Sequence, residues 1–284
     1  MAVPRIMVEE KLGAGAGFAL TEAQARHVGS VLRVEVGDGL RVFNAVDGEW
    51  RTLVTAKNKR GMSVRIEEKL KEARAVPDLD LLFAPVKRHA TDLIVEKATE
   101  LGVRRIRPVI TSRTIAETVR LDRLNAIARE AAEQTERFDA PEIFAPVSLP
   151  RALDGWDPSR ALIYCDEAGD APPILEAVRG LLGPPASSPA TALATAPAAV
   201  CLHAPEAGEG AGGPYCDQVG RGGAALLIGP EGGFTTEERA MLRTCLFVTP
   251  VSLGPRILRA ETAAIAALTI VQAAWGDWRD DGTA

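Results

Sequence analysis

The sequence has little with which to build a metal centre or a disulfide framework. Its 284 residues include four cysteines and three histidines. Cys165, Cys201, Cys216 and Cys245 form no C-x-x-C pair, and His27, His89 and His203 lie far from one another. That spacing argues against a zinc-type ligand set and fits reduced thiols, so no metal is expected. No uncharged apolar run reaches the roughly 20 residues that span a bilayer. The N-terminus carries no basic–apolar–small signal pattern, and a cytoplasmic protein is expected. Positive charge is not in excess either: 33 Lys and Arg against 38 Asp and Glu leave a net −5. This argues against non-specific coating of nucleic acid but leaves room for local basic patches facing a structured RNA.

What is present suits a soluble globular chain, with 46% hydrophobic and 25% charged residues. The length allows two domains. The first part reads as a small β-rich module. Pro4–Glu9 suggests a strand, and Thr21 with Gln24 three residues on gives a capping-box start to a short helix. Leu40–Ala45 and Glu49–Thr55 flank Asp47-Gly48, a hairpin signal. In Met62–Ile66, apolar Met62, Val64 and Ile66 alternate with polar residues. After Pro77, strand-like runs at Leu79–Ala84, Arg105–Ile110, Ala161–Cys165 and Ala224–Ile228 alternate with helical stretches. Helices are expected from about Thr91 to Leu101, stopping at Gly102, and near Leu121–Gln134. Such alternation predicts an α/β domain with a largely parallel sheet. The Ala/Pro/Gly-rich stretch 183–223 reads as an inserted loop, with a brief strand expected at Ala198–His203.

Two motifs could carry chemistry. Leu226-Leu227-Ile228-Gly229-Pro230-Glu231-Gly232-Gly233-Phe234 is a buried strand ending in a loop whose glycines admit positive φ and close backbone approach. Thr235 and Glu238 then cap the next helix. The loop matches neither the P-loop nor G-x-G-x-x-G, and alone it is also compatible with an ordinary strand-to-helix turn. The second motif is Leu253-Gly254-Pro255-Arg256-Ile257-Leu258-Arg259-Ala260-Glu261-Thr262. It leads into Thr262–Gly276, which has no charged residue and reads as a helix buried on all sides, partly by a second subunit. Arg256 and Arg259 oppose the positive end of that helix, so an anionic ligand or RNA phosphate accounts for them better than solvent does. Lys87, Arg88 and His89 form a basic loop after a strand. Arg104, Arg105, Arg107, Arg113, Arg120, Arg123, Arg129 and Arg137 make an arginine-weighted region, open to RNA contact or to surface ion pairs with Glu130, Glu133 and Glu136. Gly13–Gly17 resembles a nucleotide fingerprint but has Phe18 where the third glycine belongs.

Together these stretches resemble the RsmE family of 16S rRNA uridine-N3 methyltransferases. The resemblance rests on His27 with Val31-Leu32-Arg33 and Gly37-Asp38, then Lys87 and Glu96–Val103. It continues with Ala131-Ala132-Glu133-Gln134 and Pro141-Glu142, and closes with Ile228–Gly233 and Leu253–Ala263. It implies an α/β fold: a PUA-like β-barrel over residues 1–75 that holds RNA, then a SPOUT domain over 76–284 with a deep trefoil knot. It also implies a homodimer, S-adenosylmethionine as cofactor, and methylation of uridine 1498 (conventional numbering) of 16S rRNA within an assembled small subunit. By the same resemblance, Gly229, Pro230, Glu231, Gly232, Gly233, Leu253, Gly254, Ile257, Leu258 and Thr262 would bind the cofactor. Arg259, Arg256 and Glu261 are the catalytic candidates; Arg5, Arg33, Lys87, Arg88, Arg113 and Arg137 are the RNA-binding ones. The chain departs from the family where many members have Gly-Arg and it has Glu136-Arg137. His203-Ala204-Pro205 faintly resembles a His-Pro segment near the cofactor, for which Cys165-Asp166-Glu167 is the better equivalent. Methylation of a ribose 2′-hydroxyl and a non-catalytic ribosome-assembly role are the rival readings.

Overall fold

The computed structural model describes residues 3–58, 61–116, 118–167, 170–181 and 223–278. Most of the 183–223 insertion, including the expected strand at Ala198–His203, lies outside them.

The N-terminal sheet is built from β1 (Arg5–Met7), β2 (Gly17–Ala19), β3 (Gly39–Asn44), β4 (Gly48–Asn58) and β5 (Gly61–Lys71), in the order β1-β3-β4-β5-β2. Between β2 and β3 lie α1 (Glu22–Arg26) and a π-helical turn over His27–Val31. The Thr21 capping box forms with both of its hydrogen bonds. At the β3–β4 turn, Asn44 Oδ1 accepts the N–H groups of Val46 and Asp47. Gly48 has φ +83°, and a Cβ there would lie 2.2 Å from the Lys71 carbonyl oxygen, so only glycine fits. The pairings among the described residues run as an open path with β1 and β2 at its edges, with no ladder closing a barrel. Val42, Val54, Met62, Val64 and Ile66 fill the core on one face, as the period-two pattern requires.

The second sheet contains β6 (Leu79–Phe83), β7 (Arg105–Ile110), β8 (Glu142–Ile143), β9 (Val147–Ser148), β10 (Ala161–Cys165), β11 (Ala224–Ile228) and β12 (Val248–Val251). Its order is β12-β10-β11-β6-β7-β8, with β9 also on β7, and every pairing is parallel. The helices are α2 (Arg88–Glu100), α3 (Leu121–Gln134), α4 (Leu149–Asp154), α5 (Ile174–Leu181), α6 (Thr236–Thr244) and α7 (Ala260–Ala274). Residues of α2, α3, α5 and α7 cover one face, and those of α4 and α6 the other. β6 and β11 are buried on both faces, which explains the unbroken apolar run of β11; in β6 the one polar residue, Asp80, is paired with Arg105, Arg107 and Arg160. α2 starts three residues before Thr91, whose hydroxyl bonds back to Val86 and fixes the entry turn. No helix among the described residues is long and apolar enough to cross a membrane.

The sheets meet through buried charge. Arg5 is 8% exposed and pairs with fully buried Glu49 at 2.7 Å. Its other nitrogens donate to the carbonyls of Ala132 and Arg137, and its guanidinium lies 3.4 Å from the Phe43 ring centroid. Burial pushes the Arg5 guanidinium below its usual value, against the pull of Glu49. Arg137, also 8% exposed, donates to the carbonyls of Thr99 and Val103 and pairs with Asp139. Both guanidinium groups are consumed inside the protein, which corrects their expected role as RNA contacts. Glu136 explains the departure at Glu136-Arg137. It follows the C-cap of α3 with φ +61°, the left-handed position that glycine fills most easily. Glycine there answers a backbone need, and Glu136 compensates through ion pairs with Lys71 and Arg41.

Candidate active site

Parallel strands end together on one side of the second sheet, the edge where open α/β sheets place ligands. There the ends of β10, β11 and β12 and the start of α7 enclose an open cleft of about 180 Å³. The cleft is lined by Gly229, Pro230, Glu231 and Gly233 from one loop, and by Leu253, Gly254, Arg256, Ile257 and Leu258 from the other. Two predicted cofactor residues, Gly232 and Thr262, do not line it, and neither do the catalytic candidates Arg259 and Glu261. Gly232 faces outward against Arg113, and Thr262 is exposed one turn into α7. Sequence reasoning left out Ser252 and did not count Cys165, Asp166 and Glu167 among the binding residues, although all four line the cleft.

Contacts specific to glycine shape the first loop. A Cβ on Gly229 would lie 2.5 Å from the Phe234 ring, which folds beneath the loop and meets Tyr164 edge-on at 5.0 Å. Gly233 has φ +67°, and a Cβ there would lie 2.2 Å from Glu167 Oε1. Glu167 accepts the Phe234 N–H at 3.3 Å and pairs with Arg239 at 3.0 Å. Asp166, 4% exposed, pairs with Arg243 at 2.7 Å. The arginines of α6 therefore neutralise the acidic end of β10. Burial pushes the Cys165 thiol up to about 12, so it lines the cleft as a neutral group.

The cations at the rim are placed differently. Arg256 and Arg259 are exposed, and neither makes an ion pair or side-chain hydrogen bond among the described residues. Arg259 is the N-cap of α7, and Glu261 sits in the first turn with a buried Oε2 that has no hydrogen-bond partner. Lys87 and Arg88 are exposed at the start of α2, just after the Ala84 N–H bonds to the Ile228 carbonyl, which brings their loop beside β11. Arg33 is exposed at φ +58° on the N-terminal module. Most of the arginine-weighted region is spent on ion pairs. Arg104, Arg105 and Arg107 pair with Asp78 or Asp80, Arg120 with Asp122, Arg123 with Asp92 and Arg129 with Glu9. Among the described residues no group of acidic, histidine or cysteine side chains could hold a metal ion.

The sequence and the fold match known proteins. The RNA methyltransferase domain family matches residues 73–188 and 186–272, and the RNA methyltransferase PUA domain family matches residues 20–67. The chain belongs to the RNA methyltransferase family. Within it, the resemblance read from the motifs holds. The chain is 29% identical to ribosomal RNA small subunit methyltransferase E of Rickettsia conorii, over 96% of both chains. It is 28% identical to the protein of that name from Synechocystis, over 95% of this chain and 77% of the relative. Among solved structures, a Legionella pneumophila methyltransferase in complex with the cofactor SAM is 28% identical, with a TM-score of 0.74, over 98% of this chain and 100% of that one. The ribosomal RNA small subunit methyltransferase E of Neisseria gonorrhoeae, at 23% identity and a TM-score of 0.75 over 98% and 100%, shares the fold.

Proposed function

We propose that this protein uses S-adenosylmethionine to methylate N3 of one uridine of 16S rRNA, uridine 1498 in conventional numbering, within an assembled small subunit in the cytoplasm. The observation that carries the reading is the cleft itself, where two glycine-bearing loops at strand ends meet beside unpaired Arg256, with Arg259 close by at the start of α7. The names of the relatives and the cofactor in the Legionella structure support it.

The residues present fit such a cofactor. Gly229 and Gly233 leave no room for side chains, so a ligand would meet backbone, while Leu253, Ile257 and Leu258 offer apolar walls. Bound there, the cofactor supplies an electrophilic methyl group on a sulfonium. The chain's own residues must then align N3 and remove its proton, because uracil N3 is a weak acid and carries no free electron pair in the neutral base. Arg256 and Arg259 would hold the negative charge that gathers on O2 and O4. Glu261, whose Oε2 is buried without a hydrogen-bond partner, is the carboxylate that would accept the proton once the bound uridine reaches it, or anchor an arginine. The uridine must leave its stack to present N3. Arg33, Lys87 and Arg88, exposed and free of ion pairs among the described residues, would contact the RNA backbone around it.

The same reading divides the chain near residue 75 into an RNA-holding module and a knotted SPOUT methyltransferase unit. Consistent with a threaded C-terminus, β12 lies beyond β10 while α7 returns to pack against α2. A homodimer would cover the outer, uncharged face of α7 at Ile265, Ala266 and Thr269, together with Ile257, which is 89% exposed. Nucleoside mass spectrometry of rRNA from a strain lacking the protein tests the reaction. Loss of 3-methyluridine is expected; an unchanged level, or loss of a ribose methyl group instead, refutes it.

A further inference from the structure

We infer that Glu238 and Arg113 are positioning residues that clamp the Gly229–Phe234 loop to the segment following β7. A capping glutamate ordinarily serves its own helix through the N-cap N–H. Glu238 does this with Oε2, which accepts the Thr235 N–H at 2.9 Å. Its other oxygen, Oε1, accepts the N–H of Ser112 at 2.7 Å, across 126 positions of sequence. Glu238 is 8% exposed and both hydrogen bonds are half-buried, so losing this acceptor leaves two poorly solvated backbone donors. The next residue, Arg113, reaches back and donates to the Gly232 carbonyl at 2.7 Å. Its aliphatic stem fills the space beside Gly232, where a Cβ would lie 3.4 Å from the Arg113 Cβ. The segment 111–114 is itself closed by the Thr114 hydroxyl, which accepts the Thr111 N–H at 2.9 Å. The glycine loop is thus held from outside by Arg113 and Glu238, and from the cleft side by Glu167. Arg113 acts through the loop and not on RNA.

The functional consequence rests on the reading of the cleft as the methyl-donor site. The clamp sets donor affinity, because the loop must be ordered before it can bind. Calorimetric titration of the full chain with S-adenosylmethionine, without RNA, tests this in Arg113→Ala, Glu238→Gln and the double variant. Each single change is expected to raise Kd about five- to tenfold, and the double variant by less than the product, since both act through one loop. At saturating donor, kcat on small subunits stays within about twofold, Arg113→Lys recovers most of the affinity, and the exposed control Arg120→Ala changes nothing. An unchanged donor Kd in Arg113→Ala, with weaker RNA binding instead, overturns the proposal; so do fully multiplicative effects. Amide hydrogen exchange at residues 229–235 needs no ligand and should quicken about tenfold or more in Arg113→Ala. If the unaltered protein binds no donor, the cleft reading fails while faster exchange still upholds the clamp; unchanged exchange sinks the clamp by itself.

Discussion

Arg5 and Arg137 at the junction of the two sheets look in sequence much like Arg256 and Arg259 at the cleft, and their surroundings differ completely. The first pair is buried, and each guanidinium is surrounded by carboxylates and carbonyls. The second pair is exposed and has no such partner among the described residues. Burying an unpaired guanidinium costs several kcal/mol, so buried arginines become architecture. An arginine left unpaired at the mouth of a pocket, at a helix end whose dipole opposes it, is available to an anion. Pairing state separates cement from chemistry more sharply than residue type does.

The strongest way to break this comparison is to attack the junction. Arg5→Ala leaves buried Glu49 with Arg41 as its one remaining ion-pair partner among the described residues, and should lower stability by about 2–4 kcal/mol in urea unfolding. It should leave donor affinity of the folded protein unchanged; a loss below about 1 kcal/mol would show that the pair is not structural cement. At the rim the pattern reverses. Arg259→Ala should cut kcat about 10²–10³-fold with the melting temperature nearly unchanged. A melting temperature lowered in step with activity would place Arg259 among the structural residues after all.

Acid sharpens the contrast next. Burial works to raise the Asp78 carboxyl, but the hydrogen bond and charge of Arg160, with Arg105 and Arg104, hold it below the usual carboxylate range. A depressed folded-state value means that the stabilisation is complete above the unfolded value near 4 and disappears as pH falls through the lower folded value. Urea unfolding from pH 7 to pH 2 should show that loss, and Asp78→Asn should remove part of its slope; an unchanged slope would mean that the network contributes nothing. The smallest effect belongs to Glu136→Gly. Relief of the left-handed strain, about 1–2 kcal/mol, is offset by two exposed ion pairs worth about 0–1 kcal/mol each. Stability should rise by no more than about 2 kcal/mol, and a clear loss would mean that the pairs with Lys71 and Arg41 outweigh the backbone.

Elements with an unmixed local pattern were legible in the sequence. Arg105–Ile110, Leu121–Gln134, Ala161–Cys165 and Ala224–Ile228 have the bounds their apolar patterns predict. β12 was not legible, because Pro250 reads as a breaker and is tolerated only because the strand lies at the sheet edge. α5 is eight residues long and α4 six, too short for a clear period. At the site, the glycine loops stood out by composition. Asp166 and Glu167 showed their place in the cleft only through long-range partners, the arginines of α6. The arginine-weighted region stayed open between RNA contact and ion pairs for the same reason, since Asp80, which neutralises Arg105 and Arg107, lies on β6, a neighbour in space and not in sequence.

Purified protein incubated with S-adenosylmethionine and small subunits from a strain lacking it offers the most direct test of the central claim. The account predicts one 3-methyluridine formed per 16S rRNA, lost in Arg259→Ala while donor binding persists. Donor binding with no base methylation, or a methyl group found on a ribose hydroxyl, would contradict it.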